Sequence, residues 1–225
     1  RRLEKDILEI LVLVKECEQN INKKIPVVFG GGIFDKKDIE HYLSLGLSGV
    51  QMATRFVATK ECDAAEAFKN MYVKAKPSDV TIVQSPVHMP GRALLNPFVR
   101  AVRQGRLPVT NCFHCLKTCA PSTTPYCITQ ALIRAVRGDV DHGLVFCGAN
   151  AWKINQITTV HDLFTELVEG TAKGKELRPY GTNGFSRLTT DGPLQFVVFP
   201  VEQQVCRRYG FPSCIHGLAV PAKKL

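Results

Sequence analysis

IPVVFGGGIFDKKDIEHYLSLGLSGVQMAT, residues Ile25–Thr54, decides the fold. An apolar run ends in Gly30-Gly31-Gly32, a short helical pattern follows, and a second apolar run ends in Gln51-Met52-Ala53-Thr54. The order reads strand, glycine turn, helix, strand, polar turn. A strand–helix–strand unit of this length implies two parallel neighbouring strands whose following turns fall at one end. Glycines after a buried strand let backbone amides approach an anion, and the start of the following helix adds favourable partial charge. The second turn supplies an amide, a hydroxyl and backbone access past a small residue. Together the two turns predict a phosphate site. The spacing excludes the dinucleotide-binding fingerprint, which needs glycines at fixed offsets.

Outward from this stretch, the first residues, RRLEKDILEILVLVKECEQN, place Leu3, Ile7, Ile10, Leu11, Val14 and Cys17 at helical spacing and do not resemble a signal peptide. The chain opens inside this helix without a methionine and reads as the later part of something longer. Forty-five per cent apolar residues in 225 supply material for a core. No apolar run is long enough to span a bilayer, so no membrane partner is expected. The net charge of +9 is carried by scattered Lys and Arg, with no aromatic-interleaved stripe and no nucleic-acid-binding pattern, so no nucleic-acid partner is expected either. Nine cysteines without a secretory signal point to a reducing compartment, and a cytoplasmic location is the expectation.

Further along, Asp35 with Asp38 predicts a capped helix stopping near Gly46. Thr59 or Glu61 is expected to open a longer helix to about Lys74, and Val80–Val83 reads as a strand. Ser85–Ala93 reads as irregular, Asn96-Pro97 opens a helix to about Gln104, and Thr124-Pro125 opens another ending at Gly138. Thr159 with Asp162 caps a helix that ends at Gly170. Beyond Thr171 the texture is turn-rich, with one plausible strand at Phe196–Phe199.

Cys112, Cys115, Cys119 and Cys127 put four thiols within a short span. Two residues between the first pair allow chelation of one ion through a tight turn, so zinc or an iron–sulfur cluster is one reading, with His114 as a substitute ligand. Reduced thiols packing a small subdomain are the other.

Three motifs in linked order carry a family resemblance: IPVVFGGGIFD, then GLSGVQMATRFVATKECDA, then SPVHMPGRALLNPF. They resemble the nitronate monooxygenase family, formerly 2-nitropropane dioxygenases, which also includes flavin-dependent enoyl-ACP reductases; the likeness runs from about Ile25 to Gly170. The resemblance implies an α/β fold, the C-terminal part of an FMN-binding TIM-type (β/α)8 barrel: the last two strands with their helices over residues 1–58, a helical cap and Cys-rich segment over 59–170, and an irregular tail over 171–225. It places Gly31 and Gly32, then Gln51, Met52, Ala53 and Thr54, at the FMN phosphate. Ala53 stands where the family has glycine, which weakens the site if the backbone there needs positive φ.

The implied activity is oxidation of nitronates or nitroalkanes with oxygen, on a small-molecule substrate. The alternative within the family is enoyl-ACP reduction, with an acyl carrier protein as partner. A third reading, from a different class, is a truncated or metal-stapled structural module. The family's AGGH-type motif, with its basic histidine, does not occur in this sequence, so no catalytic residue is assigned beyond His88 as a candidate beside the PGR motif, and poor FMN binding by this chain alone is the expectation.

Overall fold

The computed structural model describes residues 2–170 apart from 88, 113 and 116–118, together with 197–198 and 218–221. It is an α/β structure that divides into two compact units. The first comprises Arg1–Met52, His161–Pro200 and His216–Leu225; the second comprises Ala53–Val160 and Val201–Ile215. The expected candidate His88, and Cys206 and Cys214, lie outside the described residues.

In the first unit, helix α1 (Arg2–Ile21) precedes strand β1 (Val28–Gly30), helix α2 (Lys36–Ser44) and strand β2 (Gly49–Met52). β1 and β2 pair in parallel, with Val28 opposite Gly49, Phe29 opposite Val50 and Gly30 opposite Gln51. The crossover works because α2 has a firm start and stop. Asp35 accepts the Asp38 amide at 3.0 Å, Asp38 Oδ2 accepts the Phe34 amide at 2.8 Å, and Gly46 leaves the helix at φ +96°. Ile39, Leu47, Val50 and Met52 are buried, as are Leu163 and Leu167 of helix α7 (Val160–Glu169). Tyr42 stacks on Phe29 with ring centroids 4.2 Å apart. β1 is less buried than a two-face-covered strand should be, and Val28 stays 46% exposed; among the described residues β1 is the edge of its sheet, paired only by β2. On the other side β2 pairs antiparallel with β6 (Leu218–Pro221), which in turn pairs with β5 (Val197–Val198), giving the order β1-β2-β6-β5.

The second unit opens with a short helix, α3 (Thr54–Val57), and then helix α4 (Glu66–Val73). The long helix expected from Thr59 does not form. Thr59 is buried, donates its hydroxyl to the Phe56 carbonyl at 2.8 Å and bridges in parallel to Thr158; a turn at Lys60-Glu61 follows, and helix begins only at Glu66. β3 (Val80–Val83) pairs antiparallel with β4 (Gly91–Leu94), a strand that the prolines around it hid in the sequence. The Val145–Cys147 stretch lies along the other edge of β4, through Leu94 N–H to Val145 O and Cys147 N–H to Arg92 O, both 2.9 Å. Helices α5 (Pro97–Gln104) and α6 (Ile128–Val136) cover a core of Val83, Ala93, Phe98, Val99, Tyr126, Ala131 and Leu144. Gly143 permits a close backbone approach beside that core: a Cβ there would sit 2.4 Å from the Ala135 amide nitrogen.

Asn96 ties this unit together. Its carboxamide oxygen accepts the Val99 amide at 2.9 Å as the α5 cap, while its nitrogen donates to Val140 O at 2.6 Å and Gly143 O at 2.8 Å. The residue is only 4% exposed, so each partner would be left unpaired in its absence. Asn96→Ala should lower unfolding free energy by about 2–3 kcal/mol in a urea titration, from a lost cap and stranded carbonyls. Asn96→Asp, normally an equal cap, should also destabilise, because a carboxylate cannot donate to two carbonyls. A wild-type midpoint for the aspartate variant would contradict the clamp.

Candidate functional site

The parallel register fixes what the sequence reading required: β1 and β2 end side by side, and Gly31-Gly32 leave the end of β1 where Gln51 and Met52 close β2. Gly31 and Gly32 have φ of +112° and +75°, in the region that favours glycine, and a Cβ built on either meets nothing within 4 Å. Among the described residues, the space that a side chain at either position would take is therefore unfilled. Gln51 is exposed and its side chain lies over Gly30, with Oε1 3.3 Å from where a Cβ would stand. Met52 is 4% exposed and packs inward, so its contribution to a ligand is through its backbone.

Three amides around the start of α2 are already committed. Phe34, Asp35 and Asp38 already donate to the carboxylates of Asp35 and Asp38, and those two charges would repel a phosphate. Self-capping thus takes up part of the helix contribution expected from the sequence.

In the second unit, Ala53 is the N-cap of α3 with φ −130° and ψ −51°. The backbone does not enter the region reserved for glycine, so the methyl group causes no strain and the departure from the family's glycine is harmless to the conformation. Thr54 Oγ1 accepts the Gly148 N–H at 2.8 Å, and a Cβ on Gly148 would come within 2.9 Å of that oxygen. The hydroxyl is oriented by this bond and keeps its own hydrogen to donate. Sequence reasoning did not assign Gly148 a part; its signal was the small-residue run Gly148-Ala149-Asn150-Ala151.

The cysteines are not assembled as the four-thiol site read from their spacing. Cys115 Sγ bonds the Thr129 hydroxyl at 3.0 Å, Cys112 Sγ accepts the His114 amide at 3.4 Å, and Cys127 is the N-cap residue of α6. His114 turns the chain at φ +48°. Two of the four thiols have local partners of their own, and among the described residues no group of three or more His, Cys, Asp or Glu side chains is placed to hold a metal. Elsewhere, burial pushes the Cys147 thiol up to about 11, which makes it a packing group rather than a nucleophile.

With the geometry in hand, comparison with known proteins is decisive at the family level. The family model for nitronate monooxygenase matches residues 3–170, so the chain belongs to the nitronate monooxygenase family, a family of flavin oxidoreductases. The match begins in α1, ahead of the motifs that carried the resemblance. A probable nitronate monooxygenase from Staphylococcus saprophyticus is 30% identical over 98 residues, 44% of this chain and 27% of that protein. A (3aS,4S,5R,7aS)-5-hydroxy-7a-methyl-1-oxo-octahydro-1H-indene-4-carboxyl-CoA dehydrogenase from Rhodococcus jostii is 33% identical over 78 residues, 35% of this chain and 22% of that one. Among solved structures, FabK from Thermotoga maritima superimposes with a TM-score of 0.54 and 29% identity, over 66% of this chain and 44% of FabK. The chain thus spans about a quarter of these curated relatives and less than half of FabK.

Glycine strain and ligand contact are separable here. Gly32→Ala (φ +75°) and Gly46→Ala (φ +96°) should each cost about 1–2 kcal/mol in urea unfolding, because both force a side chain into the left-handed region without a severe clash. Equal stability of Gly32→Ala and wild type would contradict the turn geometry.

Proposed function

We propose that this chain carries the phosphate end of an FMN site in a nitronate monooxygenase-like oxidoreductase with a TIM-type barrel. The ligands are Gly31, Gly32, Gln51 and Met52 of the first unit, with Ala53 and Thr54 following in the chain. The observation that carries the reading is the open glycine turn beside the end of β2, on a chain whose family model matches residues 3–170.

The residues present fit a phosphate. Gly31 and Gly32 offer a turn without side chains; Gln51 offers an exposed carboxamide; Thr54 offers a hydroxyl whose acceptor side is already satisfied. These are neutral donors, so they hold the anion by oriented dipoles rather than by a countercharge. FMN, when bound, supplies the electron transfer between substrate and oxygen that nitronate oxidation needs. The residues of this chain anchor one end of that cofactor and fix its depth. The substrate, in this reading, is a nitronate or nitroalkane. A second reading, enoyl-ACP reduction, draws support from the net charge of +9, which suits an acidic carrier protein.

If the phosphate is the recognised part, the chain should bind FMN at least about ten-fold more tightly than riboflavin, as read by flavin fluorescence at concentrations that reach weak binding. Thr54→Val and Gly32→Ala should lower FMN affinity by about three- to ten-fold and leave riboflavin unchanged, whereas Gly46→Ala should alter neither. Equal binding of FMN and riboflavin would remove the assignment.

A further inference from the structure

The second unit contains a cavity of about 560 Å³, within the range of small-molecule sites, that neither the phosphate site nor the core accounts for. One wall is the end of β3 and the loop after it, with Ile82, Val83, Ser85 and Met89; the facing wall includes Cys119 and Thr123. Both walls are held from behind. Tyr126 donates its hydroxyl to the Gln84 carbonyl at 2.8 Å. Arg106 donates to the Pro121 and Thr124 carbonyls at 2.7 and 3.1 Å, and the Leu107 amide donates to Pro125 O at 2.8 Å. The cavity is therefore preformed rather than a gap between loose loops.

Its chemistry is selective. Among the described residues that line it, none is charged. At the rim, Ile82 and Met89 are 54% and 67% exposed, large apolar surfaces that water covers at a cost. Against this stands Ser85, only 8% exposed. Its oxygen accepts the Val87 amide at 3.4 Å, and among the described residues its own hydrogen reaches no acceptor. A buried hydroxyl that has an acceptor role filled and a donor role open calls for a ligand acceptor atom.

We propose that this cavity binds a neutral aliphatic carbonyl compound, its chain against Ile82, Val83 and Met89 and its oxygen accepting from Ser85. The described lining offers no countercharge, which disfavours anions such as nitronates or fatty carboxylates, since they would have to shed water there. The assignment requires no flavin, so it stands or falls apart from the phosphate site.

Cys119, half-buried on the facing wall, reports occupancy. The full-length chain is alkylated with iodoacetamide with and without 2-octanone, and each cysteine is followed by peptide mass spectrometry. Saturating 2-octanone should slow Cys119 alkylation several-fold and leave Cys17 unaffected, while octanoate at the same concentration should not protect. Ser85→Ala should weaken protection roughly three- to ten-fold, the loss of one hydrogen bond. Thr123→Phe, which fills the cavity from an exposed position, should abolish it with an unchanged circular dichroism spectrum. Protection by octanoate equal to that by 2-octanone, absence of protection, or full protection in Thr123→Phe would each overturn the proposal.

Discussion

The parallel hydrogen-bonded pairing of β1 with β2 is the constraint on which the candidate site depends. Parallel strands send their turns to one end, and the register of Gly30 opposite Gln51 brings the glycine turn beside the end of β2. A shift of one residue would turn Val50 and Met52 out of the core and Gln51 into it, exposing two apolar side chains and burying an amide. Burial of Val50 at 0% and Met52 at 4% exposure thus specifies the same register that exposes Gln51. Packing and ligand geometry are set by one choice. The self-capping of α2 complements this. Its two carboxylates hold the amides of Phe34, Asp35 and Asp38, which leaves the glycine turn as the place proposed for anion contact.

The second unit is organised by buried polar groups rather than by a large sheet. Its hairpin is short, so side chains take up the backbone groups that a wider sheet would pair. Asn96 satisfies two carbonyls and a helix start, Tyr126 satisfies Gln84, and Tyr72 donates to Phe146 O at 2.6 Å. Lys69, 4% exposed, donates to Cys62 O at 3.1 Å while pairing with Glu66 at 2.9 Å. Each such group costs free energy if its partner is removed. These hydrogen bonds brace β3, α5 and the walls of the uncharged cavity against one another.

Much of this was legible in the sequence where local chemistry decides the outcome. The Asp35–Asp38 capping box, the glycine turn, the Asn96-Pro97 helix start and the stops at Gly46 and Gly138 all follow from short-range rules. What escaped depends on contacts distant in sequence. The non-helical chain at Thr59 is bridged to Thr158, nearly a hundred residues on. β4 exists because β3 and the Val145–Cys147 stretch pair with it, and nothing in its own Gly91–Leu94 sequence marks a strand. The cysteine spacing suggested a metal site, but spacing carries no direction: Cys115 turns to Thr129 and Cys112 to the His114 amide. The harmlessness of Ala53 likewise required its φ, since a glycine position in a motif does not reveal whether positive φ is needed.

Amide chemical shifts followed by two-dimensional NMR during an FMN titration test the central claim most directly, because they separate the glycine turn from the helix start beside it. The account predicts that Gly31, Gly32 and Gln51 shift together, while Phe34, Asp35 and Asp38, already bonded to carboxylates, stay in place. Shifts centred on the start of α2, with Gly31 and Gly32 unmoved, would contradict it.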